Sequence, residues 1–220
     1  MKKVYLAIII TMSALSGIAQ TNPENTFGAW YMYNGSHTLS NKFSLKSMAH
    51  FRFFEIGDDM QQFIGRLGAN YKINTTLSAT LGYAYLSTDT TYELDKGDFN
   101  EHRVYEDLNI KHKIAELGLA HRLRAEQRFF NSTTGHFIRY QLAFNYPICD
   151  KWSTYLYDEI FFDFDGEAFN QNWMGIGVKY KVSKGVKLQL GYMKIINDNH
   201  QGFDRVQIGV AINTNHQKKK

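Results

Sequence analysis

Residues 173–192 read WMGIGVKYKVSKGVKLQLGY, and this stretch decides the fold class. Apolar side chains occupy every second position from Met174 to Val182 and again from Val186 to Tyr192, with glycine, lysine or glutamine between them. Such period-2 alternation indicates two β-strands that each present one apolar and one polar face. The tripeptide Ser-Lys-Gly at 183–185 predicts a tight turn that joins the two strands as a hairpin.

The same pattern recurs along most of the chain. Ten segments alternate in this way: Lys42–Phe54, Gln61–Ile73, Leu77–Tyr85, Arg103–His112, Glu116–Arg128, His136–Ile148, Trp152–Phe164, Trp173–Val182, Val186–Tyr192 and Arg205–Asn213. Two segments depart from strict alternation, because Glu106 and Asp158 fall on faces that are otherwise apolar. A β-bulge near Asp158 would restore the register of its strand.

Strand length separates the candidate fold classes. Most segments are about ten to fourteen residues long, the length of a tilted transmembrane strand, whereas strands in soluble proteins average about five to six residues. We therefore predict an all-β fold, a closed antiparallel transmembrane β-barrel of about ten strands in up-and-down order, with twelve strands as the alternative. A soluble β-sandwich and a lipocalin-like barrel are the competing classes, and in both the apolar faces would point into a packed core.

The N-terminus predicts export. Two lysines precede an apolar run from Val4 to Ile10, and small residues follow up to Ala19, which is the layout of a cleavable signal peptide. The run is too short to cross a bilayer as a helix. We predict a signal peptide over residues 1–19, cleavage between Ala19 and Gln20, and an outer-membrane location for the mature barrel.

The remaining chain divides around the barrel. We assign 41–214 to the transmembrane barrel and 215–220 to a basic C-terminal tail. Residues 20–40 form an N-terminal extended segment, because an eleventh strand would break the even strand count of single-chain bacterial barrels. Within it, the aromatic stretch Phe27–Asn34 is predicted to pack at the periplasmic mouth or in the lumen.

Connector length predicts the orientation. Short connectors, near Asn74, near Ile114, at 147–151 and at 183–185, alternate with longer ones at 55–60, 87–100, 131–135, 165–171 and 197–202. Membrane barrels have short periplasmic turns and longer outer loops. The ten strands are therefore expected to begin and end in the periplasm.

Several segments carry a family resemblance. The opening FGAWYMY at 27–33, the stretch LSNKFSLKSMAHFRFF at 39–54, RLRAEQRFF at 122–130 and the alternating C-terminal half resemble DUF2490, a family of uncharacterised Bacteroidota outer-membrane β-barrel proteins. The resemblance covers nearly the whole mature chain. It implies an outer-membrane barrel and no particular activity.

The last strand also resembles the signal that the barrel-assembly machinery reads. Gln207, Gly209 and Ile212 have the expected spacing, although Thr214 stands where a terminal aromatic residue is usual. The expected partners are this machinery during insertion and the lipid of the outer membrane. An envelope protein is a further candidate partner, since a component of an envelope assembly is an alternative role.

The polar faces supply the candidate functional residues. If the apolar faces meet lipid, a mainly basic charge cluster lines the lumen: Arg52, Arg66, Arg122, Arg124, Glu126, Arg128, Arg139, Glu159 and Arg205. Two interpretations stay open, a buried network that fills a narrow barrel and a pore that favours anions. A pore predicts a conductance that falls when Arg124 and Arg128 are neutralised.

No catalytic, cofactor-binding or metal-binding residue is assigned. His112 and His121 have no serine at a useful spacing on their strands, and Ser47 and His50 lie on opposite faces, so we expect no enzyme, with a lipid hydrolase as the weakest alternative. The histidines lack metal-site spacing and Cys149 is the only cysteine, so no metal, cofactor or disulfide is expected. An exported chain without a basic helix or patch argues against nucleic acid as a partner.

Overall fold

The computed structural model describes residues 27–91, 98–166, 168–199 and 201–217. Strands make up most of these ranges: β1 (Phe27–Thr38), β2 (Phe43–Phe53), β3 (Met60–Lys72), β4 (Leu77–Thr88), β5 (Phe99–Ile114), β6 (Leu117–Phe129), β7 (Thr134–Pro147), β8 (Trp152–Asp163), β9 (Phe169–Lys181), β10 (Val186–Asn197) and β11 (Gly202–Asn215). No helix within the described ranges could span a bilayer. The predicted signal peptide and the last three lysines of the predicted tail lie outside them.

The strands close into a single barrel in which each strand pairs with its neighbours in the sequence. The ten predicted strands correspond to β2 to β11, and every pair between them is antiparallel. Short hairpins such as the one between β9 and β10 join them at one end of the barrel. The predicted fold class, a closed meander barrel of about ten long strands, is confirmed.

The N-terminal aromatic stretch corrects one part of the prediction. Phe27–Asn34 does not lie in the lumen or at the mouth but forms most of β1, which is antiparallel to β2 and parallel to β11. In a meander with an odd number of strands, the first and last strands run in the same direction, so the closing pair has to be parallel. β1 thereby pairs with the two strand edges that β2 and β11 would otherwise expose. Pairing these edges outweighs the preference for an even strand count.

The two ends of the barrel differ. We call the end with connectors 39–42, 73–76, 115–116, 148–151 and 182–185 the short-turn end, and the opposite end the loop end. Because of the odd count, β1 starts at the loop end and β11 finishes at the short-turn end, where the His216 amide donates to the Thr38 carbonyl at 2.8 Å.

The two faces of the wall have opposite chemistry. Large apolar side chains on the outer face are exposed, as for Leu67 (57% exposed) and Leu81 (59%). The inward face carries buried polar and charged side chains, such as Arg205 (1%) and Glu126 (1%). A barrel that contacts lipid has exposed apolar side chains on its outer face and polar or charged side chains inside, as observed here.

Glu106 and Asp158 remain on the outer face. A bulge does occur in β8, but it lies between Phe161 and Phe162 and leaves Asp158 where the alternation puts it. Asp158 accepts a hydrogen bond from the Asn172 amide on β9 at 2.9 Å. Pairing with a neighbouring polar side chain, and not a shift in register, therefore accommodates this carboxylate.

Aromatic rings fill part of the lumen. The Tyr105 ring lies across Gly68 and Gly82 on the adjacent strands, and a Cβ added to Gly82 would come within 2.3 Å of it. Trp30 and Met32 on β1 pack with Met193 and Ile195 on β10 in an apolar cluster. These contacts narrow the interior of the barrel, so its charged side chains lie in a confined space.

Candidate functional site

Alternation on β2, β3 and β5 to β8 directs charged side chains into the interior of the barrel. Inward positions on these strands hold arginine or a carboxylate in close succession, and the barrel's curvature turns them toward each other. We call this cluster the charge layer; its members are Arg52, Arg66, Glu101, Arg103, Asp107, Arg122, Arg124, Glu126, Arg128, Arg139 and Glu159.

Glu126 is the centre of the charge layer. Its Oε1 accepts from Arg139 Nη1 at 2.9 Å, and its Oε2 accepts from Arg128 Nη2 at 2.8 Å. Arg103 and Arg124 each place a guanidinium nitrogen 3.4 Å from this carboxylate, and Arg66 Nη2 lies 3.9 Å away. One buried carboxylate is thus shared by five arginines from four strands.

Two further carboxylates extend the network. Glu159 Oε1 lies 2.6 Å from Arg122 Nη2 and 2.7 Å from Arg139 Nη2. Asp107 binds Arg124 in a bidentate manner, with distances of 2.5 and 2.8 Å to Nε and Nη2. Bidentate pairs fix both partners in position, so these contacts hold β5, β6, β7 and β8 together across the lumen.

Two of the nine predicted residues lie at the margin of this network. The Arg52 guanidinium stacks 3.6 Å from the Trp30 ring and donates to Gln62 Oε1 at 2.8 Å. Arg205, on β11, donates to the Asp204 carbonyl at 2.9 Å and lies over the Phe203 ring. The other seven predicted residues meet in the Glu126 and Glu159 contacts described above.

The charge layer carries an excess of positive charge. In the described residues it contains seven arginines and four carboxylates. Most of these side chains are nearly inaccessible, for example 4% exposed for Arg139 and 3% for Glu159. Buried charges without matched counter-charges are expensive, and the four carboxylates of this layer do not neutralise its seven arginines.

A cavity of about 830 Å³ opens between the charge layer and the short-turn end. We call it the vestibule; its cationic lining consists of Lys42, Lys46, Lys72, Lys111, Arg66, Arg122 and Arg124. Asp107 is the one carboxylate among the described residues of this lining, and it is ion-paired with Arg124. Lys46 donates to Ser36 Oγ at 2.7 Å, and none of the four lysines forms an ion pair with a described residue.

Other ligand chemistry has little support in the described residues. There, no three histidine, cysteine, aspartate or glutamate side chains come close enough together to hold a metal ion. Cys149 is a free and exposed thiol.

Three members of the charge layer, Glu101, Arg103 and Asp107, were not among the nine predicted site residues. Glu101 precedes the predicted segment Arg103–His112, whereas β5 starts at Phe99 and directs Glu101 inward to Arg103. Trp30 was missed because its segment was placed outside the barrel wall. Extending the alternation of β5 backward by two residues would have found Glu101.

Comparison with known proteins identifies the family. The model of the family described as "Protein of unknown function (DUF2490)" matches residues 27–207, from the start of β1 to the middle of β11. The chain belongs to the DUF2490 family. The family resemblance read from the sequence is therefore confirmed, and the matched range includes β1. No curated protein sequence matches this DUF2490 protein significantly.

Solved outer-membrane porins share the fold of this DUF2490 protein. The NanC porin aligns with a TM-score of 0.55 at 10% identity, covering 84% of this chain and 97% of that one. The KdgM porin gives 0.51 at 16% identity, covering 83% and 95%. The KdgM porin in complex with disordered oligogalacturonate gives 0.50 at 17%, covering 80% and 86%. At such identities the likeness concerns the fold alone.

Proposed function

We propose that this DUF2490 protein is a narrow outer-membrane pore that favours small anions, which enter the lysine-lined vestibule from the short-turn end. The observation that carries the proposal is the vestibule's lining, in which four lysines and three arginines face a single carboxylate. Fixed cations in a confined lumen raise the local concentration of anions and repel cations.

The charge layer acts as the constriction of this pore. Its side chains fill the lumen beyond the vestibule and hold each other through ion pairs, so flux is small and sensitive to their arrangement. Arg124 and Arg128 belong to this network, so neutralising them alters structure as well as selectivity. The vestibule lysines are better test residues because none of them is ion-paired within the described ranges.

The membrane location rests on the outer face. Exposed leucine, isoleucine and phenylalanine side chains surround the barrel. The strands that carry them have about the length needed to cross a bilayer at a tilt. The KdgM porin, which shares the fold, has been solved with oligogalacturonate. Since oligogalacturonate is a chain of acidic sugars, we include acidic saccharides among the anions to be tested.

A planar-bilayer recording tests the proposal. Under a KCl gradient, the reversal potential of the wild-type channel should report a preference for chloride over potassium. The triple variant Lys46→Gln, Lys72→Gln, Lys111→Gln should shift the reversal potential toward that of an unselective pore. The matched triple variant Lys46→Arg, Lys72→Arg, Lys111→Arg keeps the positive charges at the same three positions and should behave as the wild type.

Three results contradict the proposal. These are a cation preference in the wild type, an unchanged reversal potential in the vestibule variant, and the absence of any conductance from a barrel shown to be folded by its heat-modifiable migration. The last result would favour the alternative role as a component of an envelope assembly.

A further inference from the structure

A cluster of hydroxyl and imidazole groups lies on the outer face of the barrel near the short-turn end. β1 directs Tyr33 and His37 outward, β2 contributes Ser47, and β11 contributes Thr214. This position is the seam where the parallel β1–β11 pair closes the barrel. Gly35 and Ser47 also border the vestibule, but their register with Ile212 and Leu67 places them on the outward face of the wall.

The groups are linked in one line of hydrogen bonds. Ser47 Oγ lies 3.1 Å from His37 Nε2, and His37 Nδ1 lies 2.8 Å from Thr214 Oγ1. With the imidazole proton on Nδ1, the Ser47 hydroxyl donates to Nε2 and Nδ1–H donates to Thr214. The Thr214 hydroxyl then donates to His216 Nε2, at 2.7 Å. This is the arrangement of a nucleophile, a general base and a residue that orients the base.

Gly35 lets these groups pack directly against the backbone of β1. A Cβ at that position would lie 2.1 Å from Ser47 Oγ, 2.5 Å from the Tyr33 hydroxyl and 2.7 Å from His37 Nε2. Three polar atoms therefore converge above a residue that has no side chain. The Tyr33 hydroxyl also lies 3.0 Å from Ser47 Oγ, within reach of the point where a carbonyl oxygen bound to Ser47 would develop charge.

We propose that Ser47, His37 and Thr214 form an esterase site that hydrolyses acyl esters of membrane lipids. Ser47 and His37 are the catalytic residues, Tyr33 stabilises the oxyanion, and Thr214 is a positioning residue. The proposal does not depend on pore activity, because the site lies on the opposite face of the wall.

The chemistry needs only the lipid ester and water. Ser47 Oγ attacks the ester carbonyl carbon while His37 Nε2 takes the hydroxyl proton. The carbon–oxygen bond to the glyceryl oxygen breaks, and His37 returns the proton to that oxygen, which releases a lysolipid and leaves an acyl ester on Ser47. A water molecule then attacks this ester, His37 takes its proton and returns it to Ser47 Oγ, and a fatty acid leaves.

The surroundings indicate the substrate class. Leu45 is the next outward residue along β2 and is 37% exposed, and Ile212 on β11 is the register partner of Gly35. Acyl chains that lie along this apolar wall would bring their ester groups to the level of Ser47. A layer of polar side chains at the lipid–water boundary would also place hydroxyls here, but it would not require a glycine beneath them or bring Ser47 Oγ and Thr214 Oγ1 to opposite nitrogens of one imidazole.

The test uses the full chain purified from a host that lacks its own outer-membrane phospholipase. Fatty-acid release from mixed phospholipid–detergent micelles gives the rate, and mass spectrometry locates the adduct formed by a fluorophosphonate probe. We expect lipid turnover and a probe adduct on Ser47. Ser47→Ala and His37→Ala should each lower the rate by at least about 100-fold, as for the loss of a nucleophile or general base.

Matched variants separate catalysis from folding. Ser87→Ala and His112→Ala change an outward serine and an outward histidine elsewhere and should keep both rate and adduct. Thr214→Val should lower kcat with little change in KM, and Thr214→Ser should restore it. The proposal is overturned if the heat-modifiable wild type releases no fatty acid and takes up no probe, or if Ser47→Ala retains the rate.

Discussion

Replacing Glu126 with glutamine removes the negative charge that five arginines share. The substitution keeps the volume of the side chain but removes the carboxylate that Arg139 and Arg128 contact at 2.9 and 2.8 Å. Because Glu126 is 1% exposed, water cannot replace the lost charge. Removing one partner of a buried ion pair costs about 3–5 kcal/mol, which lowers the folding equilibrium constant by roughly 100-fold or more.

Equilibrium urea unfolding in lipid vesicles measures this difference. Trp30 and Trp173 lie inside the barrel, with Trp30 stacked on Arg52, so their fluorescence reports loss of the lumen structure. Glu106→Gln is the matched control, because Glu106 is exposed on the outer face and forms no ion pair with a described residue. We expect this control to stay within about 1 kcal/mol of the wild type. An equally small change in Glu126→Gln would refute the claim that the charge layer holds the barrel together.

Two further predictions concern packing and closure. Gly82→Ala places a Cβ against the Tyr105 ring and should lower the thermal unfolding midpoint of the barrel. Gly118→Ala is the control, because its Cβ would be 3.5 Å from the nearest neighbouring atom and should leave the midpoint unchanged. Equal midpoints for the two variants would contradict the packing of Tyr105 on Gly82. In a Cys149→Ser background, Ser36→Cys and Asn213→Cys are register partners of the parallel pair and should form a disulfide on oxidation, detected as a mobility shift on a non-reducing gel. Ser36→Cys combined with Asn109→Cys, on the distant strand β5, should not cross-link, and the same result for both pairs would contradict parallel closure.

The alternation of side chains made most of the wall predictable. Whether a residue such as Leu190 or Gln189 faces out or in depends only on its position along its own strand, so local sequence is enough. Asp158 shows the same rule, since it stayed on the face that its position gave it. The closing strand was not predictable in this way, because pairing of β1 with β11 depends on residues at opposite ends of the chain.

In the candidate sites, too, the face of each residue was predictable from the sequence, but its contacts with distant residues were not. The lumen positions of the predicted arginines follow from alternation, but the choice of partners does not. Arg139 reaches both Glu126 and Glu159 only because register and curvature bring β6, β7 and β8 to one level. His37, Ser47 and Thr214 were missed for this reason, since His37 and Thr214 are 177 residues apart in sequence and meet only at the seam.

The pore and the esterase site both require that the apolar face of the wall contacts lipid and that the charged face lines the lumen. Spin labels on single cysteines, in a Cys149→Ser background reconstituted in lipid vesicles, test this requirement directly. Labels at Leu67, Leu81 and Leu190 should be relaxed by oxygen dissolved in the acyl chains, whereas labels at Ser78 and Asn109 in the vestibule should be relaxed by a water-soluble nickel complex. Oxygen access at the vestibule positions together with nickel access at the three leucines would contradict the account.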